Sequence, residues 1–152
     1  MTHPPVPALT THLGYWLRMV SNQVSLAFAK RLEAKAVTVA EWVVMRELYD
    51  VETLAPSLLA DRLGMTRGAI SKLAERLIAK ALIARDASPA DGRAQTLRLT
   101  GEGRLLVPEL AALADANDAA YFGHLTPAER KAMEDMLKAV AKRQDIRTIP
   151  VE

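Results

Sequence analysis

Arg67, Ser71 and Lys72 fall within six residues at a spacing that a helix would turn to one side, with Thr66 and Gly68 beside them. A guanidinium can donate paired hydrogen bonds to guanine O6 and N7, a hydroxyl can bond base edges or phosphate, and an ammonium serves either. Such a face works only if the opposite side of the helix is buried, and Ile70, Leu73 and Leu77 supply an apolar stripe for that. Gly68 is open to two readings: it lets the helix backbone approach a ligand closely, or it is a weak helix residue the fold tolerates. A second cluster follows at Asp91-Gly92-Arg93, in a stretch rich in turn formers. A protruding arginine can enter a narrow minor groove, and a neighbouring carboxylate can hold its stem or the loop. The plainer reading is an Asp-Gly turn with a solvated arginine.

Charge distribution agrees with a polyanionic partner. From Ser57 to Arg104 nine Arg or Lys stand against five Asp or Glu, whereas the remainder of the chain is net acidic. A solvated surface would show the same imbalance, so charge alone decides nothing.

Other chemistries find little support. The chain has no cysteine, which excludes disulfides, thiolate catalysis and cysteine-ligated metal. His3, His12 and His124 lie far apart, so no histidine metal site is expected. Gly101-Glu102-Gly103 lacks the preceding long strand and the lysine of a phosphate-binding loop, and no serine sits in a nucleophile elbow. The expectation is a protein that is not an enzyme and carries no cofactor. Met1 to Pro7 has no basic start and apolar run, and reads as an extended or disordered tail. No apolar stretch reaches the roughly eighteen residues of a membrane span, so a cytoplasmic chain with no membrane partner is expected.

The elements that would position these residues can be read from periodicity and punctuation. Leu13, Trp16, Leu17, Val20, Val24, Ala27, Phe28 and Leu32 mark a long amphipathic helix over residues 9–32, capped by Thr10 or Thr11. Thr38-Val39-Ala40-Glu41 is a capping box opening a second helix through Trp42, Met45, Leu48 and Tyr49. Pro56 starts a short third helix whose apolar positions are Leu58, Leu59 and Leu63, and Gly64 supplies a left-handed turn. Thr66 caps the fourth helix. Leu82 to Ala84 and the alternating run from Ala94 to Thr100 flank a turn over Asp86 to Arg93, a β-hairpin pattern. Thr100 caps a fifth helix through Leu105, Leu106, Leu110, Leu113 and Ala116. Thr126-Pro127-Ala128-Glu129 opens a sixth, with Met133, Met136, Leu137 and Val140 on its apolar face. The fold expected is mainly α with a small β-hairpin.

Two short helices joined at Gly64 match the helix-turn-helix pattern. The stretch Leu59-Ala60-Asp61-Arg62-Leu63-Gly64-Met65-Thr66-Arg67-Gly68-Ala69-Ile70-Ser71-Lys72-Leu73, with Arg76-Leu77, Leu82-Ile83, Asp91-Gly92-Arg93 and Leu97-Arg98-Leu99-Thr100-Gly101-Glu102-Gly103, resembles the MarR family of winged helix-turn-helix transcriptional regulators. The resemblance spans nearly the whole chain and rests on the order and spacing of these pieces. It implies a flexible tail over residues 1–8, a helical dimerisation region over 9–34 and 101–148, and a winged helix-turn-helix DNA-binding domain over 35–100. It places Thr66, Arg67, Ser71 and Lys72 at the major groove, Arg93 in the minor groove and Asp91 as its support. Arg76 would bond phosphate or brace the wing, the second role being favoured. Two departures stand out: Ala81 occupies a position where the family usually has glycine, and Gly92 one where a bulkier residue is common.

The implied protein is a homodimer on double-stranded DNA, expected to be a repressor, reading a pseudo-palindromic operator. Family members are often switched by small aromatic acids bound between the dimer helices and the winged lobe. His12, Tyr15, Trp16 and Arg18 on the first helix, with Trp42, Met45 and Arg46 on the second, would suit an aromatic or carboxylate effector. Trp16 and Trp42 also fit apolar stripes and can be plain core. The alternative function is a winged-helix module for protein–protein contact, because the fold alone does not dictate DNA binding.

Overall fold

A computed structural model describes residues 1–87 and 95–147 of the chain. Six helices and one antiparallel hairpin run in the order α1 (Leu13–Glu33), α2 (Val39–Tyr49), α3 (Pro56–Leu63), α4 (Arg67–Ala79), β1 (Ile83–Ala87), β2 (Gln95–Leu99), α5 (Gly101–Phe122) and α6 (Pro127–Arg143). The boundaries follow local chemistry. Thr38 and Thr126 each accept from the backbone N–H three residues on while Glu41 and Glu129 reach back, completing capping boxes at α2 and α6. Thr66 and Thr100 cap α4 and α5 in the same way with one hydrogen bond each.

The first helix begins later than its periodicity suggests. Leu9–Thr11 forms a 3₁₀ turn, α1 starts at Leu13, and the residue before it is His12, which makes no side-chain cap. Neither Thr10 nor Thr11 is the cap; the Thr10 carbonyl instead accepts from Trp16 Nε1 at 2.9 Å. Three apolar positions are also corrected: Leu58, Leu105 and Ala116 are exposed, and Ala60, Val107 and Asn117 take the inward positions. The turn expected to begin at Asp86 begins later, since Asp86 and Ala87 pair with Thr96 and Gln95 in the ladder.

One core serves the middle of the chain. Leu32, Val44, Met45, Leu48, Leu59, Leu63, Ile70, Leu77, Ile83, Leu97 and Leu110 are almost wholly buried in a single cluster. The hairpin leans on it through Leu97 and Leu99, whereas Arg98 faces outward and Gln95, at the strand's start, is exposed. A two-stranded hairpin is marginal alone, and here Leu54 adds a third, one-residue rung, exchanging both backbone hydrogen bonds with Leu97 at 2.9 Å. Outside this core the apolar faces lack cover. Every residue of α1 from Leu13 to Gln23 is exposed, and α6 buries none of its residues.

Among the described residues three helix ends turn without glycine, one of them at Asp145 after α6 with φ 54° and the other two at alanines. Ala36, after α1, has φ 55° and Ala81, after α4, has φ 60°. Left-handed backbone costs an alanine about 1 kcal/mol or more, so such positions persist where tertiary contacts hold them. Both alanine carbonyls are gripped: Ala36 O accepts from Lys80 Nζ at 2.6 Å and Ala81 O from Thr100 Oγ1 at 2.7 Å.

Candidate nucleic-acid interface

The interface starts at a glycine. Gly64 follows α3 with φ 65°, and Met65 N donates to Ala60 O at 3.0 Å, so the chain reverses within two residues. Thr66 Oγ1 then accepts from Ala69 N at 3.1 Å and starts α4. That bond leaves the amides of Arg67 and Gly68 at the positive end of the helix. Ile70, Leu73, Ala74 and Leu77 pin the other face of α4 to the core.

With that face fixed, Thr66, Arg67, Gly68, Ser71, Lys72, Glu75 and Arg76 are all exposed. The four expected at a major groove therefore share one open surface with Gly68, made of a guanidinium, an ammonium, two hydroxyls and a bare stretch of backbone. A Cβ built on Gly68 would have Thr66 Oγ1 at 4.0 Å as its nearest neighbour, so nothing inside the chain requires glycine there.

The hairpin is joined to α4 by a pair that sequence reading did not anticipate. Arg85 Nη1 lies 3.5 Å from Glu75 Oε1, bridging β1 to the exposed side of the helix. Arg98 Nε and Asp86 Oδ2 pair across the strands at 2.6 Å. Among the described residues the brace between helix and wing thus involves Glu75, and Arg76 enters no ion pair. The hairpin is paired as far as Ala87 and Gln95. Asp91 and Arg93 lie outside the described residues.

The residues expected to hold an effector do not converge in this chain. Tyr15 and Trp16 form an edge-to-face pair with centroids 5.6 Å apart, and His12 and Arg18 are exposed nearby. Trp16 borders a groove of about 600 Å³ with Leu13, Leu17, Val20, Phe122 and Leu137, and no residue of α2 lines it. Met45 is fully buried in the winged core, which removes it from any ligand surface. Trp42 packs half-buried against the same core. Arg46 bonds Asp50 at 2.8 Å and stands 5.7 Å from the Tyr49 ring centroid.

Among the described residues no three His, Asp or Glu side chains are grouped to hold a metal ion, and no helix is long and apolar enough to cross a membrane.

Comparisons with known proteins place this geometry. A family model described as "MarR family" matches residues 37–94, which run from the start of α2 into the wing. An HTH-type transcriptional repressor of Mycobacterium tuberculosis is 29% identical over 126 residues, covering 83% of this chain and 91% of that protein. Among solved structures, Bordetella bronchiseptica BpsR, studied for regulation of its DNA binding by 6-hydroxynicotinic acid, is 27% identical with a TM-score of 0.78, covering 90% of this chain and 98% of that one. CouR from Rhodococcus jostii RHA1, bound to p-coumaroyl-CoA, is 26% identical with a TM-score of 0.77, over 90% of this chain and 96% of that one.

Proposed function

We propose that the chain is a winged helix-turn-helix transcriptional regulator of the MarR family, a repressor that binds a pseudo-palindromic operator as a homodimer. The observation that carries the reading is the single exposed face of α4 formed by Thr66, Arg67, Gly68, Ser71 and Lys72, fixed by a buried apolar stripe and a threonine cap. Arg67, Ser71 and Lys72 read base edges and phosphates in the major groove. Arg93, supported by Asp91, enters the minor groove beside it. Arg76 contacts the phosphate backbone or steadies the wing.

Residues 35–100 form the DNA-binding lobe, and residues 9–34 and 101–148 the dimerisation region. A two-fold dimer sets its two α4 helices about one turn of DNA apart, roughly 34 Å, which asks for an imperfect palindrome. A small aromatic or carboxylate effector releases the DNA, binding near Trp16 and the first turns of α1. The regulation of BpsR by 6-hydroxynicotinic acid supports this ligand class. The protein acts in the cytoplasm, where the DNA is, and performs no catalysis.

Selection of bound fragments from random DNA, with and without aromatic carboxylates, tests the reading. An imperfect palindrome should emerge, and Arg67→Ala should relax preference at one position per half-site at a cost of about 1–3 kcal/mol. Recovery of unrelated sequences alone would overturn it.

A further inference from the structure

The exposed face of α4 explains contact with DNA but not how the helix is held at a set angle to the long helix α1. The two are joined at one point. Glu41, in the first turn of α2, is fully buried, and its carboxylate meets the ammonium of Lys80, with Nζ 3.0 Å from Oε1 and 2.8 Å from Oε2. The same ammonium donates to Ala36 O at 2.6 Å. Oε1 also accepts from Thr38 N at 3.0 Å, while Oε2 depends on the ammonium alone. Lys80 is the residue that ends α4, Ala36 the left-handed residue that ends α1, and Glu41 belongs to the capping box of α2. One side chain therefore ties the ends of α1 and α4 to the start of α2, and it does so at 39 and 44 residues' separation.

We propose that Lys80 and Glu41 are positioning residues for DNA reading: their ion pair, a buried carboxylate met by a partly exposed ammonium that also bonds the Ala36 carbonyl, fixes the end of the α4 helix to the linker leaving α1 and so sets the separation of the two α4 helices in the dimer. This rests on the reading of α4 as the DNA-contacting helix. The chemistry favours a fixed joint over a merely stabilising one. The ammonium donates two hydrogen bonds, to Ala36 O and Glu41 Oε1 on two separate segments, and lies 2.8 Å from Oε2 as an ion pair. Only the carboxylate is dry: Glu41 is fully buried while Lys80 keeps 37% of its side chain exposed. A displaced ammonium therefore regains water but leaves the carboxylate buried and unpaired, which favours the one geometry that closes the pair. Neither residue is a DNA contact in this reading, since both sit at the far end of α4 from Arg67.

The test compares wild type, Lys80→Met, Lys80→Arg and the double variant Glu41→Gln/Lys80→Met, all as full chains. Each is measured for melting temperature and for affinity to the selected operator and to operators lengthened or shortened at the centre by a single base pair, which rotates one half-site by about a tenth of a turn. Wild type should prefer the parent spacing. Lys80→Met should lose about tenfold in affinity for it and most of the discrimination between spacings, with affinity for unrelated DNA little changed. Lys80→Arg should retain the discrimination. The double variant, freed of an unpaired buried carboxylate, should melt close to wild type and still fail to discriminate. Discrimination that survives in Lys80→Met, or that returns with stability in the double variant, would overturn the inference and leave the DNA reading intact. A wild type that selects no operator overturns both.

Discussion

Gly68 and Gly103 look alike in the sequence, each within the first turn of a helix that a threonine caps, but their surroundings differ. A Cβ on Gly103 would run into the Leu82 carbonyl and crowd Leu99, so that glycine is fixed by packing of α5 against the hairpin. Gly68 faces open space. Since alanine is favoured over glycine in a helix by up to about 1 kcal/mol, Gly68→Ala should raise stability by several tenths of a kcal/mol in urea melts. If the backbone at Gly68 comes close to DNA, the same variant should bind the operator more weakly, because the methyl group fills that approach. A more stable variant with unchanged operator affinity would mean the glycine is simply tolerated. The four threonine caps, both capping boxes and the Gly64 turn were legible in the sequence because each is closed by atoms within five residues of one another. Ala81 was legible only as a departure: no local signal says that Thr100 Oγ1, 19 residues away, holds its carbonyl.

At the scale of elements, what escaped the sequence was how segments meet. The amphipathic pattern allowed either Leu58 or Ala60 to face inward, and the choice came from where α4 and the hairpin sit. The Leu54–Leu97 rung and the Glu75–Arg85 bridge join residues that no periodicity pairs. The candidate DNA surface was readable because one helix carries it, whereas the effector residues were drawn from two helices, and their relative placement puts Met45 in the core. The joint at Glu41 has a consequence for acid stability. Burial pushes its carboxyl up, but hydrogen bonds from Lys80 and Thr38 and the attraction of the ammonium outweigh burial, and the net direction is below the ordinary value of 4.5. A carboxyl whose folded value is depressed contributes stability that is fully present above its unfolded value and is lost as pH falls through the folded one. Wild type should therefore lose stability as pH drops below about 4.5, and Glu41→Gln/Lys80→Met should show a shallower loss over that range in urea melts. Parallel pH profiles for the two proteins would contradict this.

For the molecule as a whole, the distribution of burial argues that one chain is half of the folded unit. A helix of the length of α6 is marginal in water without tertiary cover, and α6 buries no residue while Leu137, Val140 and Met136 remain 47%, 56% and 64% exposed. Leu13, Leu17 and Val20 on α1 stand open in the same way, and contiguous apolar surface of this kind marks an interaction site. A second copy is the occupant that also explains a palindromic operator. Leu137→Glu places a charge on that face at a position half-exposed within one chain, so the separate chain should keep its winged core, whereas the dimer would have to bury the carboxylate. Association should weaken by about 3 kcal/mol, more than a hundredfold, as seen by sedimentation at micromolar concentration. Operator affinity should fall with it, because each lobe alone holds one half-site, and raising the protein concentration should restore binding in step with the dimer population. Wild type sedimenting as a monomer, or Leu137→Glu sedimenting as an undisturbed dimer, would assign this face to another partner and detach the palindrome from it.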